Sequence, residues 1–204
     1  MDELSPAQQE RTRECRREPV VFGHALETLL AEAEVLAPHT LGALARLGLS
    51  PYALEVAYPA QVGAEALAIL VQALSADLGT AGAEFLLGQR CCERVQHSRM
   101  GAAMTAHARV VGPERTLLRT ARNLRTANNF TDATVRPLPG GQGWELVTSP
   151  LPEFSTVRGL RMDPPHFLRG MLTRAFEAAG VSGVRMELVA HDEASGTATF
   201  HVFF

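Results

Sequence analysis

Apolar residues recur at helical spacing through the first two thirds of the chain. Over residues 23–36, leucines and alanines fall at i, i+3, i+4 and i+7, which places them on one face of a helix. The same periodicity predicts helices over residues 41–47, 62–78, 81–96, 101–111 and 113–127. Proline or glycine lies between most of these segments, as expected where helices end. The N-terminal part of the chain is therefore predicted to be helical.

The periodicity changes to two after residue 132. Residues 133–138 and 144–148 flank the loop Pro139-Gly140-Gly141-Gln142-Gly143, whose composition is typical of a β-hairpin. A helix is predicted over residues 163–179. A second alternating pair follows, 184–190 and 197–204, with Val184, Met186, Leu188 and Ala190 facing inward in its first strand.

The order hairpin, helix, hairpin predicts a four-stranded antiparallel sheet with one helix on its face. The predicted fold class is α/β, of the α+β type, with an N-terminal helical layer packed on this sheet. The 204 residues suit one domain, and 46% apolar residues allow a sizeable core. Residues 1–18 are predicted to be a polar tail. Residues 19–204 form the domain, with a helical half (19–131) and a sheet half (132–204).

The sequence favours a cytoplasmic location. Residues 1–18 lack the apolar segment of a signal peptide, and no apolar run approaches the roughly 18–20 residues that cross a membrane. The three cysteines have neither disulfide-framework nor zinc-ligand spacing. We therefore expect neither a membrane span nor a structural disulfide.

The net charge of −3 is unevenly distributed. Residues 1–89 carry a net −7, residues 90–136 a net +6, and residues 137–204 a net −2. A basic segment of this kind suits an anion or an acidic partner. A simpler interpretation is that the oppositely charged parts offset each other within the fold. The acidic total and the lack of aromatic residues among the arginines argue against nucleic-acid binding.

No cluster of residues specifies a reaction. The seven histidines lack metal-ligand spacing, and neither a nucleophile elbow nor a phosphate-binding loop is present. Cys91 and Cys92 lie within a predicted helix beside Arg90 and Arg94, and nearby arginine can lower a thiol pKa. A buried cysteine beside an incidental one is the simpler interpretation. We predict no catalytic residue, no metal site and no enzymatic activity.

Three arginines give the most distinctive surface feature. Arg115, Arg119 and Arg122 line one face of the helix predicted over residues 113–127, opposite an inner stripe of Leu117, Leu118, Ala121 and Leu124. Such a row can hold a carboxylate or phosphate through paired hydrogen bonds, although a solvated face has the same pattern. Asn128 continues the inner stripe and either caps the helix-to-strand junction or faces a ligand.

Four short segments, in order, carry a family resemblance over residues 20–204. They are Val21-Phe22-Gly23-His24-Ala25-Leu26-Glu27, Tyr58-Pro59-Ala60, Asn123-Leu124-Arg125-Thr126-Ala127-Asn128-Asn129-Phe130 and Phe167-Leu168-Arg169-Gly170-Met171-Leu172. They resemble a family of similarly sized myxobacterial proteins with no established activity. The layout of elements also resembles the haem-nitric-oxide-binding (H-NOX) fold, the 4-vinyl-reductase-type ligand-binding domains and the Bet3-like subunits of TRAPP tethering complexes.

The H-NOX resemblance allows residues of this chain to be compared with the haem-binding residues of those proteins. Those proteins ligate haem through a histidine near the end of the helix before the first hairpin, where this chain has Asn128 or a neighbour, and an amide is a poorer iron ligand. Their Tyr-x-Ser-x-Arg motif grips the haem propionates. Phe154-Ser155-Thr156-Val157-Arg158 resembles a degraded copy, with Arg158 in register. The resemblance therefore implies a ligand-binding fold, and we expect no haem or other cofactor.

These features lead to one function hypothesis and two alternatives. The first is a non-enzymatic sensory or regulatory module that binds a small apolar or anionic ligand between the helical half and the sheet. Its candidate anchors are Arg115, Arg119, Arg122, Asn128 and Arg158. One alternative is a Bet3-like protein–protein interaction module, a homodimer or adaptor, with a filled core. Another is an enzyme whose site is assembled from dispersed residues. A ligand-binding module needs a cavity of roughly 300 Å³ or more.

Overall fold

The computed structural model describes residues 18–36, 38–157 and 159–204. Its elements are β1 (Val20–Phe22), α1 (Gly23–Leu36), α2 (Pro38–Arg46), β2 (Ala57–Pro59), α3 (Ala60–His97), α4 (Arg99–Val111), α5 (Pro113–Asn123), β3 (Thr131–Pro137), β4 (Trp144–Pro150), α6 (Pro165–Ala178), β5 (Arg185–Asp192) and β6 (Thr197–Phe203). Short 3₁₀ turns, Leu124–Thr126 and Pro152–Phe154, follow α5 and β4. The predicted tail, apart from Glu18, and the candidate anchor Arg158 lie outside the described residues.

The four-stranded sheet has the order β3-β4-β6-β5, with every neighbouring pair antiparallel. The predicted hairpin, helix and hairpin are therefore confirmed, together with the fold class. Helix α6 covers one face of the sheet. Its Leu172 and Phe176 lie in one core with Leu146, Phe200 and Val202 of the sheet, because alternate strand residues point to this face.

One strand departs from the predicted alternation. The pairing of β5 with β6 is irregular between Leu188 and Ala190, which leaves Val189 out of register. The irregularity ends the alternation, so that Val189 is 46% exposed and Ala190 is exposed rather than inward. The predicted inward position of Ala190 is therefore wrong.

The two helices predicted over residues 62–78 and 81–96 are confirmed as the two segments of α3, which meet at a kink. The axis of α3 is interrupted at Gly79, where φ is +66°, a backbone conformation that glycine adopts at little steric cost. By length and composition alone, α3 is also the one described helix that could cross a membrane. Four other helices, α1, α2, α4 and α6, pack against it, as expected of the central helix of a domain.

The helical half meets the sheet half where α3 crosses α6. A Cβ atom on Gly88 of α3 would lie 2.9 Å from the backbone nitrogen of Met171, and closer still to the carbonyl oxygen of Phe167. A Cβ atom on Gly170 of α6 would lie 2.9 Å from the carbonyl carbon of Phe85. Glycine at both positions therefore allows the two backbones to approach closely. Phe167 packs into the helical core and its neighbour Leu168 into the sheet core, so α6 belongs to both.

Candidate functional site

Helices α4 and α5 lie at the junction between the two halves. Ser98 ends α3 and caps α4, because its Oγ accepts a hydrogen bond from the backbone nitrogen of Gly101 at 3.0 Å. This confirms the predicted break after His97. Helix α4 then packs against α3, whereas α5 packs against β3. A groove between α4 and α5 is therefore bounded by one helix that packs on α3 and one that packs on the sheet, although both helices belong to the predicted helical half.

Helix α5 is rotated slightly from its predicted orientation. Leu117 and Ala121 are buried against the sheet, but Leu118 is 37% exposed. The prediction that Leu118 faces inward is therefore wrong, because the contact with β3 centres on the face of Leu117 and Ala121. This rotation brings one edge of the arginine row towards α4.

A groove of about 280 Å³ separates α4 from α5, and we call it the α4–α5 groove. Its volume lies just below the roughly 300 Å³ expected of a ligand-binding cavity. The α4 wall is mainly apolar, whereas the α5 wall is mainly polar. The groove is lined by Met100, Ala103, Met104, His107, Ala108 and Val111 from α4, and by Thr116, Arg119, Thr120 and Asn123 from α5.

Arg119 and His107 face each other across this groove. The Arg119 guanidinium donates to Nε2 of His107, because arginine has no acceptor atom. Arg119 takes part in none of the ion pairs found among the described residues, whereas Arg125 pairs with Asp132 at 2.6 Å. Four further N–H donors of Arg119 therefore remain for other acceptors.

The two threonines of the α5 wall have already committed their hydroxyl protons. Thr116 Oγ1 donates to the carbonyl oxygen of Gly112 at 2.7 Å, and Thr120 Oγ1 donates to that of Thr116 at 2.9 Å. Both can accept a hydrogen bond but have no proton left to donate in this arrangement. The side-chain donors of the groove that can hold an anion are thus those of Arg119, His107 and the amide of Asn123.

The structure does not bring the predicted anchors together. Of the three arginines in the row, only Arg119 lines the groove, and Arg115 and Arg122 are exposed beside it. The neighbours of Arg158 line a different open depression, of about 290 Å³, next to Pro19 and Pro59. The predicted row therefore contributes a single cation to the groove.

Asn128 is buried at the start of the sheet and hydrogen-bonds to the backbone. It is only 3% exposed, and its Oδ1 accepts hydrogen bonds from the backbone nitrogens of Phe130 at 3.2 Å and Thr131 at 2.8 Å. The next residue, Asn129, accepts from the backbone nitrogen of Val20 at 2.8 Å and so ties β1 to this turn. Of the two interpretations of Asn128, the geometry favours the one that caps the junction.

The groove also contains residues that sequence analysis did not select. Met100, Met104, His107 and Val111 follow at helical spacing and line one face of α4. Their spacing was visible in the sequence. However, a stripe of this kind usually faces a core, and here its members are exposed, Met100 by 75% and Met104 by 49%.

The two adjacent cysteines are unsuited to nucleophilic chemistry. Both are buried, and burial raises the pKa of Cys91 to about 12 and that of Cys92 to about 11. Arg94 lowers the pKa of Cys91 by less than burial raises it, and it also binds the buried carboxylate of Glu32. Among the described residues, no group of three histidine, cysteine or acidic side chains could hold a metal ion.

Two solved structures share this fold over most of their length. One comes from a study of heme redox potential modulated through protein-induced porphyrin distortion, with a TM-score of 0.59, 11% identity, and coverage of 90% of this chain and 99% of that chain. The other comes from a study of heme distortion in the H-NOX family, with a TM-score of 0.58, 12% identity, and coverage of 89% and 94%. The protein therefore has an H-NOX-like fold, and the predicted resemblance is confirmed.

The sequence itself assigns the family. The model of DUF2378, described as a protein of unknown function, matches residues 19–202, and the chain belongs to this family. No curated protein matches the sequence.

The described residues do not fit a haem of the H-NOX type. Helix α5, the last before the first hairpin, contains no histidine, and the Oδ1 atom of Asn128 is occupied by backbone donors. Phe154 stands where the propionate motif has a tyrosine, and its ring is buried against Ala60 and Phe130. It has no hydroxyl group to offer a propionate. The fold is thus H-NOX-like, although the described residues offer neither the haem-ligating histidine nor the tyrosine of the propionate motif.

Proposed function

We propose that the protein is a non-catalytic sensory or regulatory module that binds a small, partly apolar ligand in the α4–α5 groove. The observation that carries this proposal is the pairing of Arg119 with His107, with no carboxylate partner for Arg119 among the described residues, opposite an exposed apolar wall. An arginine without a carboxylate partner, beside exposed methionines, is an arrangement that an amphipathic ligand would satisfy. We expect the protein to act in the cytoplasm.

The position of the groove supports a regulatory role. The ligand would bridge α4, which packs on the helical half, and α5, which packs on the sheet. Arg109 of α4 also donates two hydrogen bonds, at 3.1 and 2.9 Å, to the carbonyl oxygen of Ala178 at the end of α6. A ligand that prefers one separation of α4 and α5 would therefore shift the preferred position of α6 through this contact. The H-NOX-like fold supports the same proposal, because its solved examples are heme proteins.

Native mass spectrometry of the purified full chain tests the proposal, followed by denaturing extraction of any bound molecule. Ala103→Trp fills the groove from its rim, whereas Ala106→Trp adds the same ring to an exposed position of α4 outside the groove. We expect a mass excess that disappears on denaturation, persists in Ala106→Trp and is lost in Ala103→Trp.

The same spectra count subunits and so test the predicted homodimer. A wild-type dimer with no excess mass, which neither tryptophan variant alters, would contradict ligand binding and support the protein–protein interaction alternative.

A further inference from the structure

We propose that the ligand of the α4–α5 groove is an amphipathic monocarboxylate. Its carboxylate lies between Arg119 and His107, and its hydrocarbon body covers Met100 and Met104. This inference rests on the proposed function and adds the chemical class of the ligand and the residues that select it.

The headgroup follows from the charges that line the groove. Arg119 is its single permanent cation, because Arg115 and Arg122 lie outside the lining. One guanidinium matches a carboxylate, which accepts two parallel hydrogen bonds from it and carries one negative charge. A phosphate monoester carries nearly two charges at neutral pH and would leave the second without a permanent partner. The charge balance therefore favours the monoanion.

His107 can contribute to the same headgroup. Its Nε2 now accepts from Arg119, so the two side chains are in direct contact and both lie within reach of one headgroup. If a carboxylate takes over the Arg119 donors, the ring is released and can donate to the second carboxylate oxygen once that nitrogen carries a proton. Arg109 does not compete for this headgroup, because it is held at the end of α6.

The hydrocarbon body follows from the α4 wall. Met100 and Met104 are 75% and 49% exposed. Covering either side chain with a ligand would remove apolar surface from water, which is favourable. Methionine adapts its shape to an apolar ligand because it is unbranched and flexible. The threonines of the opposite wall have no proton to donate to acceptors on the ligand body, and the other donors of that wall belong to Arg119 and Asn123. A mainly hydrocarbon body is the one that the methionine wall favours.

Isothermal titration of the full chain with octanoate tests this assignment. Octanol supplies the same tail without charge, acetate supplies the charge without the tail, and octyl phosphate supplies a more highly charged head. We expect octanoate to bind more tightly than all three. Arg119→Gln should weaken octanoate binding by about tenfold or more, the effect of losing a charged hydrogen bond.

Arg122→Gln is the matched control, since it removes the same charge from the same helix outside the groove. It should leave octanoate affinity unchanged, and circular dichroism should show both glutamine variants to be folded. Equal binding of octanol and octanoate, tighter binding of octyl phosphate, no binding of octanoate, or equal effects of the two substitutions would each overturn the carboxylate assignment.

The two proposals fail in different ways. If native mass spectrometry finds a different compound that Ala103→Trp displaces, the groove is a ligand site and only the carboxylate class is wrong. If octanoate binds equally well to the wild-type chain and to Ala103→Trp, its site lies elsewhere, and both the groove and the headgroup assignment are wrong.

Discussion

Replacing Gly88 with alanine is expected to destabilise the protein by forcing α3 away from α6. The added Cβ would lie 2.9 Å from the backbone nitrogen of Met171 and still closer to the carbonyl oxygen of Phe167. Both are backbone atoms, so no side-chain rotation can relieve the overlap, and the helices must move apart. Because this crossing joins the two halves, the displacement loosens packing on both sides of α6.

The expected loss is about 2 kcal/mol of unfolding free energy. Overpacking of a close contact costs about 1–3 kcal/mol, and a backbone clash belongs at the upper end of that range. Alanine recovers up to about 1 kcal/mol because it is the better helix former. For a chain of this size, the net loss lowers the melting temperature by roughly 4–8 °C.

Gly42→Ala is the matched control for this experiment. Gly42 lies in α2, and a Cβ atom there would meet no other atom within 4 Å. The same substitution should therefore stabilise the protein by about 0.5–1 kcal/mol. Urea unfolding followed by circular dichroism measures both. If Gly88→Ala proved as stable as the wild-type chain, or shifted in the same direction as Gly42→Ala, the close approach of α3 and α6 would be refuted.

Three further predictions concern buried polar groups. Glu32→Ala removes the buried carboxylate that Arg90 and Arg94 share, and we expect it to lower the free energy of unfolding by about 2 kcal/mol. An unchanged thermal unfolding would mean that these ion pairs are solvated. Asn128→Ala leaves two backbone donors without their acceptor and should cost a similar amount, with Asn128→Asp restoring part of it. Burial raises the pKa of Cys91 to about 12 from an ordinary 9.0, so its contribution to stability is full below about pH 9 and lost as the pH rises towards 12. The urea midpoint should therefore fall more steeply with alkaline pH in the wild-type chain than in Cys91→Ala.

Local patterns were sufficient to predict the layout of elements. Helical and strand periods, the glycine-rich loop at residues 139–143 and the break at Ser98 each depend on a few neighbouring residues. These signals predicted hairpin, helix and hairpin in the correct order, and with them the fold class. Asn128 was predicted to face inward and is buried, but α5 ends at Asn123, so the turn into β3 places this side chain rather than helical spacing.

Local sequence patterns could not predict contacts between distant parts of the chain. The pairing of β1 with β2 joins residues separated by about 40 positions, and no strand was predicted in the segment containing β2. The exposure of Leu118 and the irregularity in β5 depend on how each element meets its neighbour, since spacing gives a face but not its angle to the sheet.

The same distinction holds for the candidate site. The sequence by itself predicted that Arg115, Arg119 and Arg122 share a face of one helix, whereas the face of Met100, Met104 and His107 on another helix was not predicted. Only the tertiary structure decided that Arg119 alone lines a groove opposite those residues. The physical reason is that a helix fixes the spacing of its own side chains, whereas the rotation of α5 against β3 and the capped turn at Ser98 determine which of them meet across the groove.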